Sequence, residues 1–384
     1  MNIGYLYNLH AYPPKGGNHV HVYELIKGFT SLNHNILVVD DPSMPNVVNY
    51  NSNEEGLLEF LEKTDLLYIR IDARPTKKWE TLNKCMQIAV GIPIVWEINS
   101  PANENLAFSW HGGNFHLNGP EDESLFKRIK RWIHAARKKP EIILEEKHRR
   151  KLSKKVNHAI CVSAAVGRYA KNYLAIPNVT DLPNGGPILT EDDITRRRLK
   201  RSNKQFTVLY SGSAIYPWQG LNFLTQVVAI AKNKAPDILF KFVVNQKTDW
   251  LPGSDNVEIQ EKLSHEEVLD AICMADVCVA LPPKWHWSPY GFHGSPMKLF
   301  EYMAGMTPVV TSNHSQMSEI LKNKHDAVLT ENTPEAILEN IIFVKDNPDK
   351  AKVIGRNGWQ KIQDELNWQN NANVTIDIFK RYLN

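Results

Sequence analysis

Cysteine is scarce and scattered. The four in 384 residues, Cys85, Cys161, Cys273 and Cys278, sit in apolar contexts without C-x-x-C spacing. That excludes a disulfide scaffold and a zinc ribbon, and they read as reduced core residues. Long hydrophobic runs are missing too: no segment reaches the roughly 18 apolar residues of a membrane span. The opening MNIGYLYNLHAYPP has no charged stretch ahead of its strand-length apolar run, so no secretory signal is expected and the expected location is cytoplasmic. Short-period repeats are absent. Net charge is only +3, which argues against a polyanion, and so against nucleic acid, as the main partner.

That balance hides an uneven distribution. Residues 127–155 hold thirteen Lys/Arg against three Glu, with Trp132, Ile133, Ile142, Ile143 and Leu144 among them. This stretch must face solvent or something acidic. Two readings stand side by side. One is peripheral contact with an anionic bilayer at the inner face of the membrane, where each clustered basic residue contributes about 1 kcal/mol. The other is a solvated outer helix pair.

What is present is alternation. A chain of this length exceeds the size at which one core stops growing, so two domains are expected. Short apolar strands alternate with amphipathic stretches, the pattern of a parallel sheet covered by helices. In the first half the strands are expected at 3–8, 36–40, 66–70, 94–98 and 159–163. Residues 180–205 read as turns followed by charge, a linker with a basic tail. The pattern then restarts at 206–211, 240–244, 257–260, 277–281, 308–311 and 327–329. Two doubly wound halves facing each other place a cleft between them, with the carboxyl ends of the strands as the ligand face.

Three places are candidates for chemistry. Gly16 and Gly17 end the loop after the first strand and open a helix, where backbone N–H groups can approach an anion; a plain tight turn is the competing reading. The stretch SPMKLFEYMAG reads as a helix with Ser295 as N-cap, Pro296 at its first position and Gly305 as its stop. Lys298 then lies in the first turn, where the helix dipole disfavours a cation by up to about 1 kcal/mol. A phosphate on the N–H groups near Gly294–Met297 would explain the lysine, leaving Glu301 to accept hydrogen bonds from sugar hydroxyls; a solvated surface pair is the alternative. Third, Glu97 and Asn99 emerge from the apolar strand PIVWEINSPANE, with Glu104 beyond, at the end that faces the cleft. The acidic pairs Asp40–Asp41 and Glu191–Asp193 read as caps and turns, so no metal site is expected.

The ordered series GG at 16–17, AICVSAAVGRYA at 159–170, LPNGGP at 182–187, VLYSGS at 208–213 and SPMKLFEYMAGMTPVV at 295–310 resembles glycosyltransferase family 4. The resemblance runs nearly the whole chain. It implies the α/β GT-B fold, two Rossmann-like doubly wound domains facing each other across a cleft: 1–185 plus 367–384 for the acceptor and 186–366 for the nucleotide sugar. It also implies retaining transfer from a nucleotide-diphosphate sugar to a hydroxyl of a glycan, lipid-linked or small-molecule acceptor, in glycan or polysaccharide biosynthesis, without a cofactor or metal.

Roles follow by position. Gly16 and Gly17 would lie beside the donor phosphates, and Gly294, Ser295 and Pro296 would hold the diphosphate. Glu301 would bind the ribose, and segments near Asn245 and Leu263 the base. Glu97 and Asn99 would present polar groups to the transferred sugar. Departures matter. The family's first glutamate is His293 here, its usual GR is Gly212–Ser213, and its usual KG is Gln219–Gly220. Two cations that stabilise the leaving diphosphate are therefore missing, each worth a few kcal/mol of transition-state stabilisation. Lys298 is the leading substitute, with Lys284 and His286 behind it; the catalytic candidates are Glu97, Asn99, His293 and Lys298. A nucleotide-sugar epimerase and a noncatalytic sugar-nucleotide-binding relative remain the alternatives.

Overall fold

The computed structural model describes residues 1–14, 16–102, 125–249, 251–285 and 288–383. Two all-parallel sheets organise them. The first comprises β1 (Asn2–Leu6), β2 (Asn35–Val39), β3 (Val48–Tyr50), β4 (Leu66–Ile71), β5 (Ile94–Ile98), β6 (His158–Cys161) and β7 (Val179–Asp181), in the order β3-β2-β1-β4-β5-β6-β7. The second comprises β8 (Phe206–Gly212), β9 (Ile238–Val244), β10 (Val257–Glu261), β11 (Val277–Ala280), β12 (Val309–Ser312) and β13 (Val328–Thr330), in the order β10-β9-β8-β11-β12-β13. Each sheet is the Rossmann-like doubly wound kind that the alternation predicts. All six positions of LLYIRI in β4 are buried, as in a strand covered by helices on both faces.

Winding reverses between β1 and β4 in the first sheet and between β8 and β11 in the second. Such reversals open a crevice at the carboxyl ends of the strands. The Gly16–Gly17 loop follows β1, Arg70 lies near the end of β4, and Gly212 ends β8.

The last helix, Trp368–Lys380, returns to the first half. It lies against helix Gly17–Ser31, with Phe379 6.0 Å from Phe29 and 5.1 Å from Tyr68 between ring centroids. Contacts also join the halves directly: Ser163 Oγ donates to the His293 carbonyl at 2.7 Å, and Gln316 Nε2 to that of Val162 at 2.6 Å.

Two charged stretches differ from the sequence reading. The 180–205 segment contains a helix, Glu191–Arg198, closed at its start by a reciprocal Thr190–Asp193 capping box. Its basic residues are paired: Arg197 with Glu266 at 2.6 Å and Asp270 at 2.7 Å, and Lys200 with Asp270 at 2.6 Å. The basic run lies on one long helix, Leu125–Leu152, where Arg149 is fully buried. Arg149 bonds Glu145 at 3.1 Å and the carbonyl of Ser100 at 3.1 Å, while Glu145 accepts from the Thr76 and Lys77 amides at 2.7 and 3.0 Å. The carboxyl half of this helix is thus anchored to the first domain by buried charge.

Candidate functional site

Helix Met297–Ala304 carries the centre of the site. Its N-cap is Pro296, and no side chain caps it. Ser295, expected as the cap, is occupied elsewhere: its Oγ accepts from the Asn184 amide at 3.0 Å, and its carbonyl from Asn184 Nδ2 at 2.8 Å. The first-turn N–H groups of the helix are left without a side-chain acceptor, as an anion site requires. Tyr302, on the same side of the helix as Lys298, is fully buried, its hydroxyl accepting from the Ser211 amide at 2.8 Å.

Lys298 rises from that first turn toward the end of β8. Its Nζ is buried without a hydrogen-bond partner and lies 3.9 Å from the centre of the Tyr210 ring. Gly212 leaves room for it. Gly212 has φ +142°, and a Cβ there would come within 2.6 Å of the ammonium. Burial pushes Lys298 down to about 7, against the upward pull of Glu301. Burial raises Glu301 above the ordinary carboxylate value, opposed by His265, whose Nδ1 is 4.0 Å away, and by Lys298. A buried ammonium short of hydrogen bonds, with uncapped helix N–H groups one turn away, is a cation awaiting an anion.

The Gly16–Gly17 loop meets this helix from the other half. A Cβ on Gly17 would lie 3.2 Å from Met297 Sδ, so the two sequence candidates converge. Ser213 and Gln219 lie in the loop after β8, and Gln219 Oε1 would be 3.4 Å from a Cβ on Gly212. Ser213 Oγ accepts from the Ile215 amide at 3.3 Å. Asn245 is exposed just after β9, and Leu263 lies half-buried just after neighbouring β10. His293 is 2% exposed, its ring edge-on to Trp285 at 4.9 Å. Lys284 is exposed, and His286 and Glu104 lie outside the described residues.

Glu97 has a different setting from the one expected. It is 1% exposed. Tyr5 donates to Oε2 at 2.8 Å, Asn99 Nδ2 to Oε1 at 2.6 Å, and Arg70 also bonds Oε1. His21 Nε2 lies 2.9 Å from the same oxygen. Burial opposes ionisation of Glu97, but His21 and Arg70 outweigh it and hold the carboxyl far below its ordinary value. A carboxylate bonded in this way orders Arg70 and Asn99. Asn99, half-buried, is the member of the pair with a side chain partly open.

Arg70, His21 and Asn184 were not candidates in the sequence, yet signals existed. Arg70 interrupts the apolar run LLYIRI, and His21 shares a helix face with Leu25 and Gly28, all three buried.

Comparison with known proteins decides the fold. Residues 191–361 match the family model Glycosyl transferases group 1. The match lies in the second half and spans 171 of the 384 residues, so the similarity is to that domain. An uncharacterised glycosyltransferase of Methanocaldococcus jannaschii is 22% identical over 283 residues, 67% of this chain and 70% of its own length. Sucrose-phosphate synthase from Thermosynechococcus elongatus superposes with a TM-score of 0.68 at 14% identity, covering 99% of this chain and 98% of its own. Anabaena HepE in complex with UDP and glucose gives 0.65 at 14% identity, covering 99% and 100%. The architecture is the GT-B fold of these glycosyltransferases, with the group 1 domain supplying Lys298, Glu301 and Gly212.

Proposed function

We propose that this chain is a retaining glycosyltransferase of family 4, of the hexosyltransferase type, working without a metal in glycan or polysaccharide assembly. The observation that carries the reading is Lys298: an ammonium with no hydrogen-bond partner, buried beside the uncapped start of a helix. In this reading the donor diphosphate lies on the N–H groups of 294–297, Lys298 takes up charge that builds on the leaving group, and Glu301 accepts from ribose hydroxyls. The acceptor hydroxyl attacks from the face the phosphate leaves, and the departing phosphate receives its proton. HepE, whose structure holds UDP and glucose, supports a sugar nucleotide as the donor class. A thermal-shift screen of UDP, GDP, ADP and their sugar conjugates tests this. A ligand at 100 times its dissociation constant raises stability by about 2.7 kcal/mol. Glu301→Ala is expected to abolish the shift, and chelator to leave turnover unchanged. No response to any of these nucleotides would refute the donor site.

A noncatalytic reading rests on the neutral Ser213 and Gln219; tight nucleotide-sugar binding without turnover over a broad acceptor panel would select it.

The amino half of helix Leu125–Leu152 supports a lipid-linked acceptor. Phe126 is 66% and Trp132 48% exposed, with Ile129 and Ile133 also exposed and lysines interleaved. No helix among the described residues is long and apolar enough to cross a membrane, so the contact proposed is peripheral, at the cytoplasmic face. Binding to vesicles containing phosphatidylglycerol is expected to exceed binding to pure phosphatidylcholine and to drop at least tenfold in Ile133→Asp. Equal affinity for both vesicles would leave this helix a solvated face.

A further inference from the structure

Between the Glu97 cluster and the start of helix Met297–Ala304 runs a chain of side chains that no catalytic role yet uses. Asn184, in the linker, donates Nδ2 to the Ser295 carbonyl at 2.8 Å, and its main-chain N–H to Ser295 Oγ at 3.0 Å. A carbonyl accepts only, so the orientation of the amide is fixed and its Oδ1 faces His21 Nδ1 at 2.8 Å. That ring nitrogen must therefore carry a proton. The opposite nitrogen lies 2.9 Å from Glu97 Oε1, a close polar contact without the alignment of a hydrogen bond. Burial favours a neutral ring and lowers His21 from its ordinary value, while Glu97 favours the charged one. The Nδ1 end of the imidazole is thus committed to Asn184, with Nε2 set against the Glu97 carboxylate.

The surroundings hold this chain from three sides. Trp368 meets the His21 ring edge-on at 5.0 Å. Asn371 Nδ2 donates to the Pro183 carbonyl at 2.8 Å, and the Gly186 amide to that of Leu366 at 2.8 Å, so the linker on both sides of Asn184 is tied to the last helix and the turn before it. Arg70, besides bonding Glu97, reaches Asn18 Oδ1 at 3.3 Å, one residue past Gly17. One connected set of bonds thus reaches the Gly17 region, Glu97 and the 294–296 loop, and crosses from one sheet domain to the other.

We propose that His21 and Asn184 are positioning residues that form a latch between the two domains, setting the 294–296 loop in register with the Glu97–Asn99 end of β5. In a two-domain transferase, donor phosphates held by one half and groups near the transferred sugar held by the other act together only at a fixed spacing. The functional part of the inference rests on the donor reading given above; the structural part does not.

The test separates the two. Hydrogen exchange is followed in the full chain without ligand, for wild type, Asn184→Ala, Asn184→Asp and His21→Phe. Each variant is expected to speed exchange at least fivefold in peptides covering 291–300, with the amides of β11 and β12 unchanged. Asn184→Asp is the conservative variant: it retains an acceptor for His21 and the main-chain bond to Ser295 Oγ, but its side chain cannot donate to the Ser295 carbonyl. Unchanged exchange at 291–300 in a folded Asn184→Asp protein would overturn the latch. Affinity for whichever of UDP, GDP and ADP stabilises the wild type is then measured for both single variants and the His21→Phe/Asn184→Ala double variant. About tenfold weakening in each, and no more in the double, is expected of two parts of one device. Multiplying losses, about a hundredfold in the double, would make them independent contacts and overturn the proposal. Faster exchange with undiminished affinity would leave the mechanical coupling standing and remove its link to the donor, and with it the donor reading of this loop.

Discussion

Lys298→Met is expected to raise the melting temperature of the ligand-free protein while destroying its activity. An ammonium buried without hydrogen bonds costs stability, and methionine fills the same narrow space beside Gly212 and Tyr210 without that cost. The pH dependence identifies the cause. Lys298 is held at about 7, against an ordinary 10.5, so between these values the unfolded chain binds the extra proton and wild-type stability climbs as pH rises. The variant lacks that component, and its stability advantage should be largest below pH 7 and shrink toward 10.5. Ligand reverses the sign. A diphosphate favours the charged amine, so wild-type affinity for the nucleotide should fall as pH rises above about 7, with proton uptake visible as a buffer-dependent binding enthalpy. Turnover of the variant should fall by about two to three orders of magnitude, the usual cost of one lost transition-state contact. A variant no more stable than wild type, and equally active, would make Lys298 an ordinary packed residue.

Glu97→Ala is expected to give the largest loss of stability. It strands Arg70 and His21, both buried, and the unpaired charge costs about 3–5 kcal/mol, a large share of the 5–15 kcal/mol typical of a whole domain. Because Glu97 is held below its ordinary 4.5, its contribution is fully present above that value and is lost as pH falls below it. The gap between wild type and variant in urea unfolding should therefore narrow in acid. Replacing both partners, as Arg70→Met with Glu97→Met, should recover most of the stability but not turnover, since Asn99 and His21 lose their common anchor. If the double replacement were as unstable as Glu97→Ala, shape rather than stranded charge would be the cause.

The alternation of apolar runs made both sheets legible: every expected strand is present, its ends within two residues of those found. The short strands Val48–Tyr50 and Val179–Asp181 escaped notice because three residues carry too little periodicity. The helix Glu191–Arg198 within the 180–205 linker went unread because of its charge, although Thr190 and Asp193 form a capping signal in the sequence itself. Lys298 was conspicuous because its charge opposes the dipole of its own helix. Glu97 was found for its position, but its partners were not, because a carboxylate open to a ligand and one bonded by Arg70, Tyr5 and Asn99 look identical in one dimension. The Asn184 bridge joins residues more than a hundred positions apart, and no local pattern marks it.

The placement of helix Trp368–Lys380 bears on how the molecule is made. It supplies Trp368, Ala372, Ile376 and Phe379 to a core shared with β1, β2, β4, β5, β6 and helix Gly17–Ser31. During synthesis the leading half therefore emerges with one flank bare and must wait for residues 368–380 to leave the ribosome before it can close. Over that interval its apolar flank is exposed to solvent, which makes a shielding chaperone more valuable to this protein than to one whose domains finish in the order in which they are translated.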